Sequence, residues 1–117
     1  RGTIKVSTPE ATAIDLVGYS HHAGGLDQVV TILWELAEKI DPDKLVAVAK
    51  TAPVTWAQRL GYLLERVEAD EKARALRDFV KYATRQTVPL LPGAKGKKGP
   101  RDPDWKLFVN VDVEADL

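Results

Sequence analysis

Leu26-Asp27-Gln28-Val29-Val30-Thr31-Ile32-Leu33-Trp34-Glu35-Leu36-Ala37-Glu38-Lys39-Ile40 is the stretch whose reading decides the fold class. Val29, Val30, Leu33, Leu36, Ala37 and Ile40 recur at intervals of three and four residues, which gathers them into one apolar stripe on a helix with Trp34 on its flank. Asp41-Pro42-Asp43 then restarts the chain. Asp41 is a natural N-cap, Pro42 suits the first helical position where no N–H is needed, and Asp43 meets the positive end of the dipole. A short helix through Leu45, Val48 and Ala49 follows.

Toward the C-terminus, Pro53 opens a further helix in which Trp56, Ala57, Leu60, Leu63, Leu64 and Val67 share one face, while Gln58, Tyr62 and Glu65 face elsewhere. Gly61 interrupts it at a cost of about 1 kcal/mol relative to alanine, so a close approach by another backbone or a large side chain is expected there. The last helix covers roughly residues 70 to 84, with Leu76, Phe79, Val80 and Ala83 inward. Its acidic residues Asp70 and Glu71 come early and its basic residues Lys81 and Arg85 late, which suits the macrodipole. Toward the N-terminus, Thr8-Pro9-Glu10 starts a helix that runs through Ile14 and Val17 to Gly18. Residues 18 to 25, with Gly24 and Gly25, read as a loop.

Strand signals are short. Thr3 to Ser7 alternates around Ile4 and Val6, Val88 to Leu91 forms one apolar run, and Trp105 to Val113 is rich in β-branched and aromatic residues. Residues 92 to 104 read as a Pro/Gly-rich loop across which the two C-terminal runs form a hairpin, joined by residues 4 to 6 because two strands alone are rarely stable. The expectation is one α+β domain over residues 1–117, mostly helical, with about five helices closed by a small C-terminal β-sheet.

Composition narrows the function. A chain of 117 residues can enclose a core unaided. It has no cysteine, so no disulfide or thiolate site exists, and a cytoplasmic home is expected. No apolar run is long enough to span a bilayer and no signal-peptide pattern opens the sequence, so no membrane association is expected. Methionine is absent too, and a chain opening Arg1-Gly2-Thr3 is expected to be processed or cut from something longer. Seventeen basic residues balance seventeen acidic ones, so any nucleic-acid-binding surface has to be local. Arg74, Arg77, Lys81 and Arg85 recur at near-helical spacing, and Lys95, Lys97, Lys98 and Arg101 crowd a glycine-rich loop. These eight are the candidate nucleic-acid contacts, weighed against the commoner case of a solvated charge row.

The other constellations favour ordinary explanations. His21 and His22 point apart on an extended loop and lack the companions of a metal site, so no metal and no cofactor are expected. Gly24-Gly25 ahead of a helix lacks the lysine and spacing of a phosphate loop. Asp112, Glu114 and Asp116 alternate at the C-terminus, as solvated residues of a terminal strand do. Arg59, at the edge of an apolar stripe, fits a structural role. No nucleophile and base stand at motif spacing, so no catalytic residue is assigned and the domain is read as non-enzymatic.

Several segments carry a family resemblance. Residues 6–17 (VSTPEATAIDLV) followed by His21-His22-Ala23-Gly24-Gly25-Leu26 resemble the opening of the C-terminal domain of AbiEi-type antitoxin and transcriptional regulator proteins. Residues 58–65 (QRLGYLLE) look like a helix of that family, and residues 105–111 (WKLFVNV) like its closing strand. The resemblance implies a bacterial type IV toxin-antitoxin system of phage defence. In it the antitoxin counters a nucleotidyltransferase-like toxin without a stable complex, and represses its own operon through an N-terminal winged helix-turn-helix that is expected to be missing from residues 1–117. Operator DNA and the toxin are then the expected partners. Two rival readings are an interaction or oligomerisation module of a transcriptional regulator, using apolar surface around Trp34 or Trp56, and a metal-dependent hydrolase or transferase using Asp112 and Glu114.

Overall fold

The computed structural model describes residues 8–18, 26–83, 86–90 and 100–109. Five helices come first: α1 (Pro9–Gly18), α2 (Leu26–Leu36), α3 (Pro42–Ala49), α4 (Val54–Arg66) and α5 (Asp70–Ala83). A small sheet of β1 (Val88–Pro89), β2 (Arg101–Asp102) and β3 (Leu107–Phe108) follows, in the order β1-β3-β2. The chain is α+β and mostly helical, as expected.

The starts of α1 and α3 follow the capping chemistry. Thr8 Oγ1 accepts from the Ala11 N–H at 3.1 Å, and Asp41 Oδ1 accepts from Asp43 N at 2.9 Å and Lys44 N at 3.3 Å. The long apolar stripe ends differently from its sequence reading: the α-helix stops at Leu36 and Ala37–Lys39 tighten into a 3₁₀ turn before Ile40 becomes extended. Pro42 needs a preceding residue outside the α region, and Asp41 accordingly sits at φ −94°, ψ 120°.

The core runs through all five helices. Helix α4 packs against α5, α1 and α2, and α5 also covers α3. Ala13, Ile14 and Val17 of α1, Val29, Val30 and Leu33 of α2, Leu60, Leu63 and Leu64 of α4, and Ala73, Leu76 and Val80 of α5 are all buried. Glu10 is buried as well, and its Oε2 accepts from the Asp41 N–H at 2.7 Å. Lys72 Nζ donates to the Ile40 carbonyl at 2.7 Å. Those two groups belong to one peptide unit, so α1 and α5 grip the α2–α3 connection from its two hydrogen-bonding sides.

Three sequence expectations are corrected. Gln58, placed off the apolar face, is fully buried, because the sheet lies over that side of α4 and supplies polar partners. Ala83, placed inward, is exposed at the last turn of α5. The sheet is not a hairpin of the two apolar runs: Val88 pairs with Leu107 in parallel, and the antiparallel partner of β3 is Arg101–Asp102, inside the segment read as loop. A parallel pair needs a long connection, which residues 90 to 106 provide. Pro89 fits because the ladder uses its neighbours: Val88 N–H donates to the Lys106 carbonyl at 3.1 Å and Leu90 N–H to the Phe108 carbonyl at 2.9 Å. The strand expected at residues 3 to 7 lies outside the described residues.

Candidate functional site

Helix α5 presents three kinds of surface. Ala73, Leu76 and Val80 face the core. Arg77 lies at the margin with its side chain 34 % exposed; its guanidinium donates to Glu65 Oε2 on α4 and stands over the Trp105 ring, 5.8 Å from the centroid. The hydrogen bond to Glu65 raises the Arg77 pKa above its ordinary value. Arg77 thus ties α4, α5 and the sheet together. Arg74 and Lys81 are exposed on the outer face, with the exposed Asp78 four residues after one and three before the other. Tyr82, beside Lys81, is 91 % exposed.

Arg101 is exposed in β2, its guanidinium 5.4 Å from the Phe108 ring centroid. Of the eight basic candidates, the structure therefore puts Arg74 and Lys81 on one outward face, commits Arg77 to a contact with Glu65, and places Arg101 in the sheet. Arg85, Lys95, Lys97 and Lys98 lie outside the described residues. Asp78 is an acidic neighbour at helical spacing that breaks the basic row.

The sheet is held by Trp105, which sits fully buried in the turn between β2 and β3 rather than inside a strand. Asp102 Oδ1 shapes that turn by accepting from Asp104 N at 3.0 Å and Trp105 N at 3.3 Å, and Lys106 closes it at φ 51°. The indole lies against Gly61 so closely that a Cβ there would overlap its six-membered ring. Gln58 Nε2 donates to the carbonyls of Trp105 and Lys106, both at 3.0 Å, and of Gln86 at 3.3 Å. Three convergent carbonyls demand the amide's NH₂ on that side. Nothing in the sequence marks Gln58 and Trp105 as a pair; the glycine inside α4 is the one signal that something large approaches. Arg59, half-buried on the same helix, has its pKa lowered by burial.

Among the described residues no three His, Cys, Asp or Glu side chains are grouped to hold a metal ion. His21, His22, Asp112, Glu114 and Asp116 lie outside those residues. No helix among them is long and apolar enough to cross a membrane.

The profile of the AbiEi antitoxin C-terminal domain matches residues 1–66. No curated protein and no solved structure matches the chain. The matched span holds the segments at residues 6–17, 21–26 and 58–65 and stops before residues 105–111. It also stops before all eight basic candidates, which belong to α5 and the region beyond it. Residues 1–66 make up more than half of the 117, and they build α1 to α4 with the buried face that Trp105 closes, so the chain belongs to the AbiEi antitoxin C-terminal domain family.

Proposed function

We propose that residues 1–117 act as one non-enzymatic antitoxin and regulatory domain of a type IV toxin-antitoxin system, working in the cytoplasm. The match of residues 1–66 to the antitoxin family carries this reading. The domain counters a nucleotidyltransferase-like toxin without forming a stable complex with it. It also assists autorepression, adding phosphate contacts from Arg74, Lys81, Lys95, Lys97, Lys98 and Arg101, with Arg77 and Arg85 beside them, to an operator read mainly by an N-terminal winged helix-turn-helix. Such contacts position a protein on DNA without specifying sequence.

Two measurements test it. Co-expression with the toxin of the same operon restores growth of the host while the two proteins fail to co-purify; continued growth arrest refutes the antitoxin role. Duplex DNA titrated with the domain shows weak, sequence-independent binding in the range of about 10⁻⁴ to 10⁻⁶ M at physiological salt. Replacing Lys95, Lys97, Lys98 and Arg101 by glutamine flattens the log–log salt slope by about 0.9 for each phosphate that is no longer neutralised. An unchanged slope removes that loop from the DNA surface.

A further inference from the structure

At the opposite end of α5 from Lys81 lies a surface of the other sign. Trp34 of α2, Glu38 of the 3₁₀ turn, Val67 and Glu68 of the α4–α5 turn, and Glu71 and Lys72 of α5 line a cleft of about 200 Å³. Trp34 is 37 % exposed there, and it and Tyr82 are the two exposed large hydrophobic residues among those described. Glu38 lies beyond the change from α-helix to 3₁₀ turn, and both it and Trp34 line the cleft. Among the described residues the carboxylates of Glu38, Glu68 and Glu71 have no hydrogen bond or ion pair, whereas the Lys72 ammonium is engaged by the Ile40 carbonyl at 2.7 Å. The fold thus gathers three carboxylates and one ammonium round a partly open indole, an excess of negative charge.

We propose that this cleft is a docking site for an arginine side chain presented by a basic segment of a partner protein. The carboxylates select a cation and repel nucleic acid. The indole face selects a planar one, because a guanidinium stacks on an aromatic ring and presents a fork of donors to carboxylates, which an ammonium cannot do. The volume suits one side chain rather than a whole small molecule, since pockets that enclose such ligands measure about 300 to 1,000 Å³. A single buried arginine is also a common anchor of protein interfaces. This proposal does not depend on the antitoxin or DNA readings, and its failure would leave both intact.

The test follows the three indole N–H signals of the ¹⁵N-labelled 117-residue chain, assigned with Trp34→Phe, during titration with a short Gly-Arg peptide and with matched Gly-Lys and Gly-Glu peptides. The Gly-Arg peptide moves the Trp34 signal saturably and leaves those of Trp56 and Trp105 in place. The Gly-Lys peptide binds more weakly and the Gly-Glu peptide not at all. Trp34→Ala, followed through the backbone amides of Glu38, Glu68 and Glu71 because its indole signal is gone, weakens binding about fivefold, the factor that corresponds to a cation–π contact of about 1 kcal/mol. The double substitution Glu38→Gln and Glu71→Gln, which relieves repulsion and spares the core, weakens it at least as much. Absence of saturation, equal response of all three indoles, equal binding of the lysine peptide, or indifference to the double substitution overturns the proposal. So does a duplex DNA that moves the Trp34 signal.

Discussion

Helices α1 to α4 and the three-stranded sheet differ in what holds them in place. Each helix brings an apolar stripe, and α1 and α3 bring their own capping residue, so their burial is spread over many side chains that contribute separately. The strands of the sheet are two residues long, and a ladder of that size does not stand alone in water. Its position rests instead on a few long-range contacts: Trp105 against Gly61, Gln58 on three carbonyls, and Arg77 over the indole. A distributed interface tolerates single changes, whereas a concentrated one does not.

The largest expected effect follows from that concentration. Gly61→Leu drives a side chain into the fully buried Trp105 ring and costs about 3 kcal/mol, the upper end of overpacking penalties. Gly18 offers the matching case, because a Cβ there meets the Trp56 ring at 2.5 Å, yet Trp56 is only half-buried and can swing aside. At an open mid-helix site, glycine to alanine would gain about 1 kcal/mol. Gly61→Ala is therefore expected to lower the urea midpoint clearly and Gly18→Ala much less. Equal shifts would show that the Trp105 contact is no tighter than the one at Trp56.

Gln58 sharpens the comparison by separating the sheet from the helices. Gln58→Ala takes the side-chain donor from three carbonyls and costs about 2 kcal/mol, within the range for buried groups left without a partner. Hydrogen exchange locates the damage. The amides of Val88 and Leu90, which bond to β3, should exchange faster, while those inside α1 and α2 keep their protection. Uniform acceleration would mean that sheet and helices unfold as one unit.

The same contrast explains what is legible in the sequence. Stripes such as Val29, Val30, Leu33 and Leu36 repeat within one helix, so their period is written locally, and Thr8, Asp41 and Pro42 mark starts through chemistry confined to a few residues. Gly61 and Trp105 are far apart along the chain, and no periodicity connects them. Gln58 reads as solvated for a related reason: a polar residue on the flank of a stripe looks outward until a sheet with three inward carbonyls covers it. The β1–β3 pairing is parallel for reasons of chain routing, and a two-residue β2 inside a Pro/Gly-rich stretch has no pattern to read. The basic candidates are legible only as composition, since spacing along α5 does not reveal that Arg77 turns to Glu65.

A smaller effect lies within the helical part, where one peptide unit is held as tightly as the sheet. Glu10→Ala removes the acceptor of the Asp41 N–H, a charge-assisted bond of 2.7 Å, and is expected to cost about 1.5 kcal/mol. Lys72→Met leaves the Ile40 carbonyl without its ammonium donor. The two groups share a peptide plane, so a double-mutant cycle should give a coupling of about 0.5 kcal/mol or more. Strict additivity would break the idea that α1 and α5 act on one clamped connection.

The smallest expected effect is a gain, at Glu68. Helix α4 ends with Ala69 N–H bonded to the Leu64 carbonyl at 2.9 Å and Glu68 N–H to the Glu65 carbonyl at 3.1 Å, with Glu68 between them at φ 60°. That pattern is a Schellman ending, in which the left-handed residue is usually glycine. A residue with a Cβ pays about 1 to 2 kcal/mol for the conformation, and glycine avoids that strain while losing about 0.5 to 1 kcal/mol through the freer unfolded chain. Glu68→Gly should therefore stabilise the domain by about 0.5 kcal/mol, read as a higher urea midpoint with an unchanged slope. It also removes one of the three carboxylates around Trp34, so the same variant should bind the Gly-Arg peptide more weakly than the parent chain. A gain in stability together with a loss of binding would show why a strained carboxylate stands where glycine fits better. Weaker binding without stabilisation would mean that the turn accepts a side chain at no cost, and stabilisation with undiminished binding would take Glu68 out of the cleft's chemistry and leave Glu38 and Glu71 to account for it.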